Sequence, residues 1–533
     1  MLRERQKKRI RRILKLPGNE YWKILVFDEA GQRILAPLFT VRDLRLLGVT
    51  VHAMLHSARE QVADVPGVYI VLPTEENIRR IVQDIKREVY GAFHVFFIEE
   101  IDAEKLSFFA EECVRQAVCY EQIEQVCDGF VGFVALEESV FSLGRPGMFQ
   151  TFHSAASTER EIGAAAESIC EGLASVLSVL SAKNVSIRFA RDTPAELVAR
   201  KLEARLQRLV VEEPAALNVH VCVLDRAFDI ATPLRHVAEY NALVHDLFGV
   251  QNNVVRYSRE NKMQSFDIEE DDWLWRGHSK APFSETVEEI GRQFSSYREE
   301  ELKTTGTEGG LEGKMTEAVE RLPQLLEKKR VISGHLKLSE SVIAEMERRK
   351  MDCFLSLEQR LGECSEEEVL KVLREESYAE GDRVRLAVLY VLCKGSTEKA
   401  SLVGDVFRGR SGVFRYVGRL LSLSGLQPGE REAAGFLRSF VSSVKTFLPE
   451  KSTLPLTKKV VQYGQQMGSD ELATLGSYRA RPDILVVFVV GGTTYSEWNN
   501  LHRELSKTCR NLILGSTEML SAESFLDTLE ACS

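Results

Sequence analysis

The stretch Trp22-Lys23-Ile24-Leu25-Val26-Phe27-Asp28 sets four consecutive apolar side chains between a lysine and an acid. A strand with one wet face would show a polar residue at every second position, so this run reads as a strand buried on both faces. Further runs of the same kind follow at Val49–Leu55, Val68–Leu72 and Ala92–Ile98, separated by helix-like segments such as Val41–Leu47 and Glu75–Tyr90. Such alternation predicts a parallel sheet with helices on both faces, which is the α/β class.

The pattern resumes further along the chain, at Val131–Leu136 and Val219–Leu224. After a long gap it returns at Ile484–Val490 and Asn511–Leu514. The two ends are therefore expected to share one discontinuous α/β domain, with a mostly helical insertion between them. The expected boundaries are 1–121 for a first α/β domain, 122–235 with 465–533 for the second, and 236–464 for the helical third. Within the third, Thr304–Gly313 is rich in Gly, Thr and Glu and reads as a linker. Lys314–Lys350 then places Met315, Val319, Leu322, Leu325 and Leu326 on one helical stripe, and Pro323 is expected to kink or interrupt it.

Composition agrees with such a multi-domain chain, since 533 residues exceed what a single core accommodates. A net charge of −10 argues against a duplex nucleic-acid binder, which needs a broad basic face. Ten cysteines without a Cys-x-x-Cys pair fit reduced cytosolic thiols better than disulfides or a zinc site. No apolar stretch follows Met-Leu-Arg-Glu-Arg at the start, so no signal peptide is expected, and the run Ile484–Val490 is too short to span a bilayer. Residues 2–16 hold eight basic side chains against one acid, with Ile10, Ile13 and Leu14 at helical spacing. They read as a helix laid on the first domain, because a membrane-surface helix needs a wider apolar face.

Enzyme motifs are approached but not met. Gly309, Gly310, Gly313 and Lys314 suggest a phosphate loop, but the spacing is wrong, and Met315 stands where Ser or Thr would hold magnesium. Gly277-His278-Ser279-Lys280-Ala281 approaches a nucleophile elbow but follows an acidic, Trp-rich stretch instead of a strand. Asp225 and Asp229 sit at a strand end, where α/β ligand sites lie, yet no second acidic or His cluster supports a metal. They are expected to cap local backbone and to pair with Arg226 or Arg235. Gly491-Gly492 is read as a tight turn, with a phosphate site as the alternative. No catalytic residue, metal or cofactor is expected.

Several long, collinear segments carry a resemblance to a known family. They include Trp22–Asp28, Val41-Arg42-Asp43-Leu44 with Gly48-Val49-Thr50, and Val71-Leu72-Pro73-Thr74-Glu75-Glu76-Asn77-Ile78. The centre adds Leu224-Asp225-Arg226, Ala231-Thr232-Pro233-Leu234, Tyr240 through Asp246, Phe266-Asp267-Ile268-Glu269, and Leu325 through Arg330. The tail adds Val487 through Gly492 and Gly515-Ser516-Thr517-Glu518. Together they resemble the Sec/Munc (SM) family of SNARE-binding proteins, most closely its Sly branch, over essentially the whole chain.

The resemblance implies an arch-shaped fold of two parallel-sheet α/β domains and a mostly helical inserted domain. It also implies a monomeric, non-enzymatic cytoplasmic protein that binds syntaxin and the assembled SNARE bundle, with no nucleic acid, and is recruited peripherally to ER and Golgi membranes. A syntaxin N-terminal peptide would dock on the outside of the first domain, where Leu106, Phe109, Ala110, Cys113 and Val126 match the pocket. Phe109 is aromatic where the family usually has a smaller aliphatic residue. A SNARE-helix groove would involve Leu322, Pro323, Leu325 and Leu326, with Arg33 and Arg42 giving positive charge to the first-domain wall. Two other readings stand beside this one: an SM branch acting at the plasma membrane or vacuole, and an α/β enzyme handling a phosphorylated ligand at Asp225, Asp229 or Gly491-Gly492.

Overall fold

The apolar run that opens the reading lies in β1 (Lys23–Phe27), whose five residues are all buried. The computed structural model describes residues 1–16, 22–207, 217–305, 311–424, 453–465, 472–476, 482–507, 509 and 511–533. The chain divides into two units, Met1–Phe228 with Leu456–Thr493 and Leu501–Met519, and Asp229–Pro455 with Thr494–Asn500 and Leu520–Ser533.

In the first unit β1 joins β2 (Val49–Met54), β3 (Val62–Val71), β4 (Tyr90–Phe97) and β5 (Ile123–Asp128) in a sheet of order β2-β1-β3-β4-β5. Every neighbouring pair runs parallel. Successive side chains of a strand point to opposite faces, so β3 sends Val68 and Ile70 to one core and Tyr69 and Val71 to the other. The second of these cores is closed by helix Glu75–Lys86 through Ile78, Ile81 and Ile85, and by Phe109 from helix Ala103–Arg115. Both helices start at a side-chain cap: Thr74 Oγ1 accepts from Asn77 N at 3.2 Å, and Asp102 Oδ1 from Lys105 N at 2.7 Å. The first sheet extends beyond the boundary expected at residue 121, because β5 pairs along β4 from Phe93↔Ile123 to Phe97↔Asp128.

A second sheet in the same unit begins with β6 (Val134–Glu137), β7 (Val140–Ser142), β8 (Ala182–Ala190) and β9 (Leu217–Asp225). Helix Glu159–Val179, apolar and long enough to cross a membrane by composition, is a core helix here, burying Ile169, Leu173, Val176 and Leu177. The chain then enters the second unit, where β10 (Val250–Gln251), β11 (Val254–Arg259) and β12 (Lys262–Asp267) make a small antiparallel sheet. It returns as β13 (Leu472–Leu475), β14 (Ile484–Val490) and β15 (Leu512–Ser516) to complete the order β13-β8-β9-β14-β15-β7-β6. Strand β14 pairs parallel with β9 over seven positions, from Ile484↔Val219 to Val490↔Asp225. The expected partnership of the two chain ends is thus a hydrogen-bonded fact at the centre of the sheet.

The second unit is mainly helical, as expected, but the β10–β12 sheet was not anticipated. Helices Phe283–Thr305 and Leu311–Arg349 take in residues 304–305 and 311–313 of the expected linker, and 306–310 lie outside the described residues. The second helix is unbroken through Pro323, so the expected interruption does not occur. A buried ionic cluster ties several of this unit's elements together. His236 Nδ1 meets Glu358 Oε1 at 2.6 Å and its Nε2 meets Asp382 Oδ1 at 3.0 Å. Arg349 Nε donates to Asp382 Oδ2 at 2.8 Å, and Arg385 Nη1 to Asp246 Oδ2 at 2.9 Å. Arg385 also donates to the Leu234 and Arg235 carbonyls, so these buried charges are paired and hydrogen-bonded, as their desolvation requires.

Candidate functional site

Helix Ala103–Arg115 has more apolar positions than one sheet face can cover, and the structure divides them. Phe109 turns inward and is 5% exposed, while Phe108 and Cys113 pack partly buried against the same core. Leu106 at 46% and Val114 at 82% exposure face solvent, with exposed Ala110 between them. Positions four apart lie one above the other on a helix, so Leu106, Ala110 and Val114 form a single apolar row. Val126 on β5, an edge strand, is half-buried against the core that receives Phe109 and Cys113. Burial and the neighbouring Glu112 carboxylate push the Cys113 thiol up, which keeps it protonated and apolar in character.

Of the five residues expected to line a peptide pocket, Leu106 and Ala110 are surface groups and Cys113 and Val126 lie just beneath. Phe109 is buried in the core beneath them. Val114 joins the exposed row beside Leu106 and Ala110. Its signal was present in the spacing 106, 110, 114.

The second expected site divides between the units. In the second unit Pro323 and Leu326 are exposed, Leu326 at 57%, and Leu325 is half-buried, whereas the side chain of Leu322 lies outside the described residues. In the first unit Arg33 is half-buried and lines a cavity of about 280 Å³ with Thr74, Glu99, Lys105 and Arg145. Arg145 is ion-paired to Glu99. Arg42 is exposed on helix Val41–Leu46 and is not among the residues lining that cavity.

The enzyme-like motifs resolve into structural roles. Asp229 Oδ1 accepts from Ala231 N at 3.0 Å and Thr232 N at 3.1 Å, a local backbone cap as expected. Asp225 Oδ1 meets His153 Nε2 at 3.0 Å, a partner that sequence spacing did not suggest. Gly491 has φ +91, and a Cβ there would come within 2.9 Å of Arg226 Cβ and 3.1 Å of Phe149 Cδ2. Its N–H already donates to Thr517 Oγ1 at 3.1 Å, so it is spent on a turn and not aimed at an anion. Gly277 and His278 end helix Trp273–His278, which lacks the strand-to-helix turn a nucleophile needs. Gly309 and Gly310 lie outside the described residues. The ten cysteines are free thiols.

A sequence model described as the Sec1 family matches residues 23–528. The chain belongs to the Sec1 family. Among its relatives, a Protein sly1 homolog of Drosophila melanogaster is 30% identical over 627 aligned residues, spanning 99% of this chain and 98% of the relative. The crystal structure of Sly1p in complex with an N-terminal peptide of Sed5p superposes with a TM-score of 0.82 at 26% identity, covering 100% of this chain and 98% of that one. The SM protein Vps45, solved with the Qa SNARE Tlg2, has a TM-score of 0.80 at 17% identity over 100% of this chain and 98% of its own, which shows a common fold. The parallel first sheet, the mainly parallel second sheet and the mostly helical second unit are therefore the Sec1-family fold, and the resemblance read from dispersed sequence segments holds over nearly the full chain.

Proposed function

We propose that this Sec1-family protein is a SNARE regulator that binds a syntaxin-type SNARE and promotes assembly of the SNARE complex, without turnover or cofactor. The observation that carries the reading is the solvent-facing row Leu106, Ala110 and Val114 above a packed Phe109, Cys113 and Val126, on a chain similar throughout to Sly1p, solved with an N-terminal peptide of Sed5p. A short peptide offering one or two apolar side chains fits such a row, because the anchor gains burial while the helix needs no rearrangement. Pro323, Leu325 and Leu326, together with Leu322, are the second contact, an apolar strip for an amphipathic SNARE helix. Arg33 and Arg42 supply positive charge on the first unit. A weak anchor linked to a larger groove raises overall affinity through effective concentration. Likeness to sly1 homologs supports a place in ER–Golgi traffic, with the protein cytoplasmic and drawn to those membranes by its SNAREs.

The test is calorimetric titration of the full-length protein with the N-terminal peptides of syntaxins from each compartment. One ER–Golgi syntaxin peptide should bind, and Leu106→Lys should weaken it by about tenfold or more, the equivalent of losing one partly buried aliphatic contact. Because Leu106 and Ala110 are exposed, Leu106→Lys and Ala110→Glu should melt like the wild type, which Phe109→Lys would not. Unchanged affinity in both exposed variants would remove the pocket, and preference for a plasma-membrane or vacuolar syntaxin would move the protein to another branch.

A further inference from the structure

Helix Leu2–Leu14 buries Leu2, Ile10, Ile13 and Leu14 on its own unit, and so has no apolar face left for insertion into lipid. Apart from Glu4 at its start, what it turns outward is cationic: Lys8, Arg11 and Arg12, with Lys15 just past its end, all exposed, at helical spacings of three and four. This stripe continues onto a neighbouring element. Lys23 Nζ donates to the carbonyls of both Leu14, at 2.6 Å, and Leu47, at 2.9 Å, holding the end of the first helix beside the end of helix Val41–Leu46. The charges of Lys7 and Arg11 reach Asp43 on that second helix, where exposed Arg42 and Arg45 flank it. Lys8, Lys15, Arg42 and Arg45 form no ion pair with any described residue.

Large apolar side chains stand in the same region. Trp22 is 65% exposed, Leu46 78% and Val41 52%. The backbone N–H of Lys23 donates to Gly48 O at 3.0 Å, so Trp22 sits at the end of the second helix where Leu46 projects.

We propose that this face, formed by Lys8, Arg11, Lys15 and Arg45 with Trp22 and Leu46, docks directly on an anionic lipid bilayer. A concentrated cationic surface on a chain of net charge −10 selects a polyanion and orients the molecule, since the rest of its surface is repelled. The exposed indole and leucine select a bilayer over a nucleic acid: a Trp ring is stable at headgroup depth, and an aliphatic side chain gains from the acyl boundary. The contact does not pass through SNAREs. It adds to their recruitment a second, weak membrane attachment, and stable peripheral binding commonly needs two such signals.

The experiment is flotation of the full-length protein with vesicles of phosphatidylcholine alone and with vesicles that also contain phosphatidylserine. The protein should float only with the anionic vesicles, and added salt should release it. Lys8→Glu, Arg11→Glu and Lys15→Glu combined should lower partitioning by roughly a hundredfold or more, while a matched reversal at exposed Lys183, Lys371 and Arg374 should change it little. A blue shift in tryptophan emission on vesicle binding should disappear in Trp22→Phe. All the substituted positions are exposed, so thermal melts should stay near wild type. Failure to float with anionic vesicles, equal flotation with both, or equal loss in the matched control would overturn the proposal. The vesicles carry no SNARE, so the outcome is separate from that of the peptide titration.

Discussion

His236 is enclosed between two carboxylates in a fully buried setting, and its charge state decides whether that cluster holds. Burial and Arg385 pull the imidazole pKa down, but Glu358 and Asp382 outweigh them and leave it raised. Asp382 in turn is held well below the usual carboxylate range: Arg349 and His236 overcome its burial. A raised histidine pKa means that the folded state holds the proton more tightly than the unfolded chain does. The stabilisation is thus complete below about pH 6.5 and is lost as pH rises through the folded-state pKa. His236→Gln should cost about 3 kcal/mol below that pH, because it leaves buried carboxylates short of a cation. Urea unfolding at a series of pH values checks this, and the gap between variant and wild type should narrow as pH rises. The sequence holds no hint of this cluster, since Glu358 and Asp382 lie 122 and 146 positions from His236. The Asp229 cap was legible because its partners are two and three residues away, whereas Asp225 meets His153 across 72 positions.

Elements declare themselves when their burial is simple. A strand covered on both faces, such as β14, is a run of Ile, Leu, Val and Phe with no competing reading. Strand β8 escaped notice because Lys183, Asn184, Ser186 and Arg188 break up its apolar residues, and its pairing with β9 and β13 decides its state instead. The β11–β12 hairpin also escaped, yet it carried a local signal. Val255 and Tyr257 alternate inward, and the register Arg259↔Lys262 leaves the two-residue turn Glu260-Asn261. Both turn residues have positive φ, 52 and 58, the conformation of a type I′ turn, in which Asn-Gly is preferred. Replacing Glu260-Asn261 by Asn-Gly should raise stability by about 0.5–1 kcal/mol, read as an upward shift in the thermal midpoint. Smaller or no gain would mean that Glu260 has contacts outweighing its strain. Helix Ala103–Arg115 shows the opposite difficulty. The resemblance set 106, 109, 110 and 113 together at one pocket, and the packed sheet turns 109 inward while 106 and 110 join 114 outside.

Across the whole molecule the decisive feature is that β9 finds its partner β14 only after the helical unit has been threaded between them. Asn218 N donates to Asp483 Oδ2 at 2.8 Å across 265 positions, a closure that must precede completion of the sheet. Residues 1–235 expressed alone would leave the edge of β9 unpaired, and an open, apolar edge strand invites association. That fragment should elute as aggregates and lack a cooperative urea transition. A monomeric, cooperatively melting fragment would show that the first sheet and its helices suffice. Such long-range pairing also makes folding slow relative to a chain of local contacts.

Short-range physics was enough to read the α/β class and the mostly helical insertion. Both rest on runs, spacings and segments that interact within a few residues. Three-dimensional packing alone settled which apolar side chains of a helix stay dry, which distant acid meets which histidine, and that a basic terminal helix hides its greasy side and shows its charges. Those outcomes depend on neighbours brought in from tens or hundreds of positions away, and a chain's linear order does not encode their distances in advance.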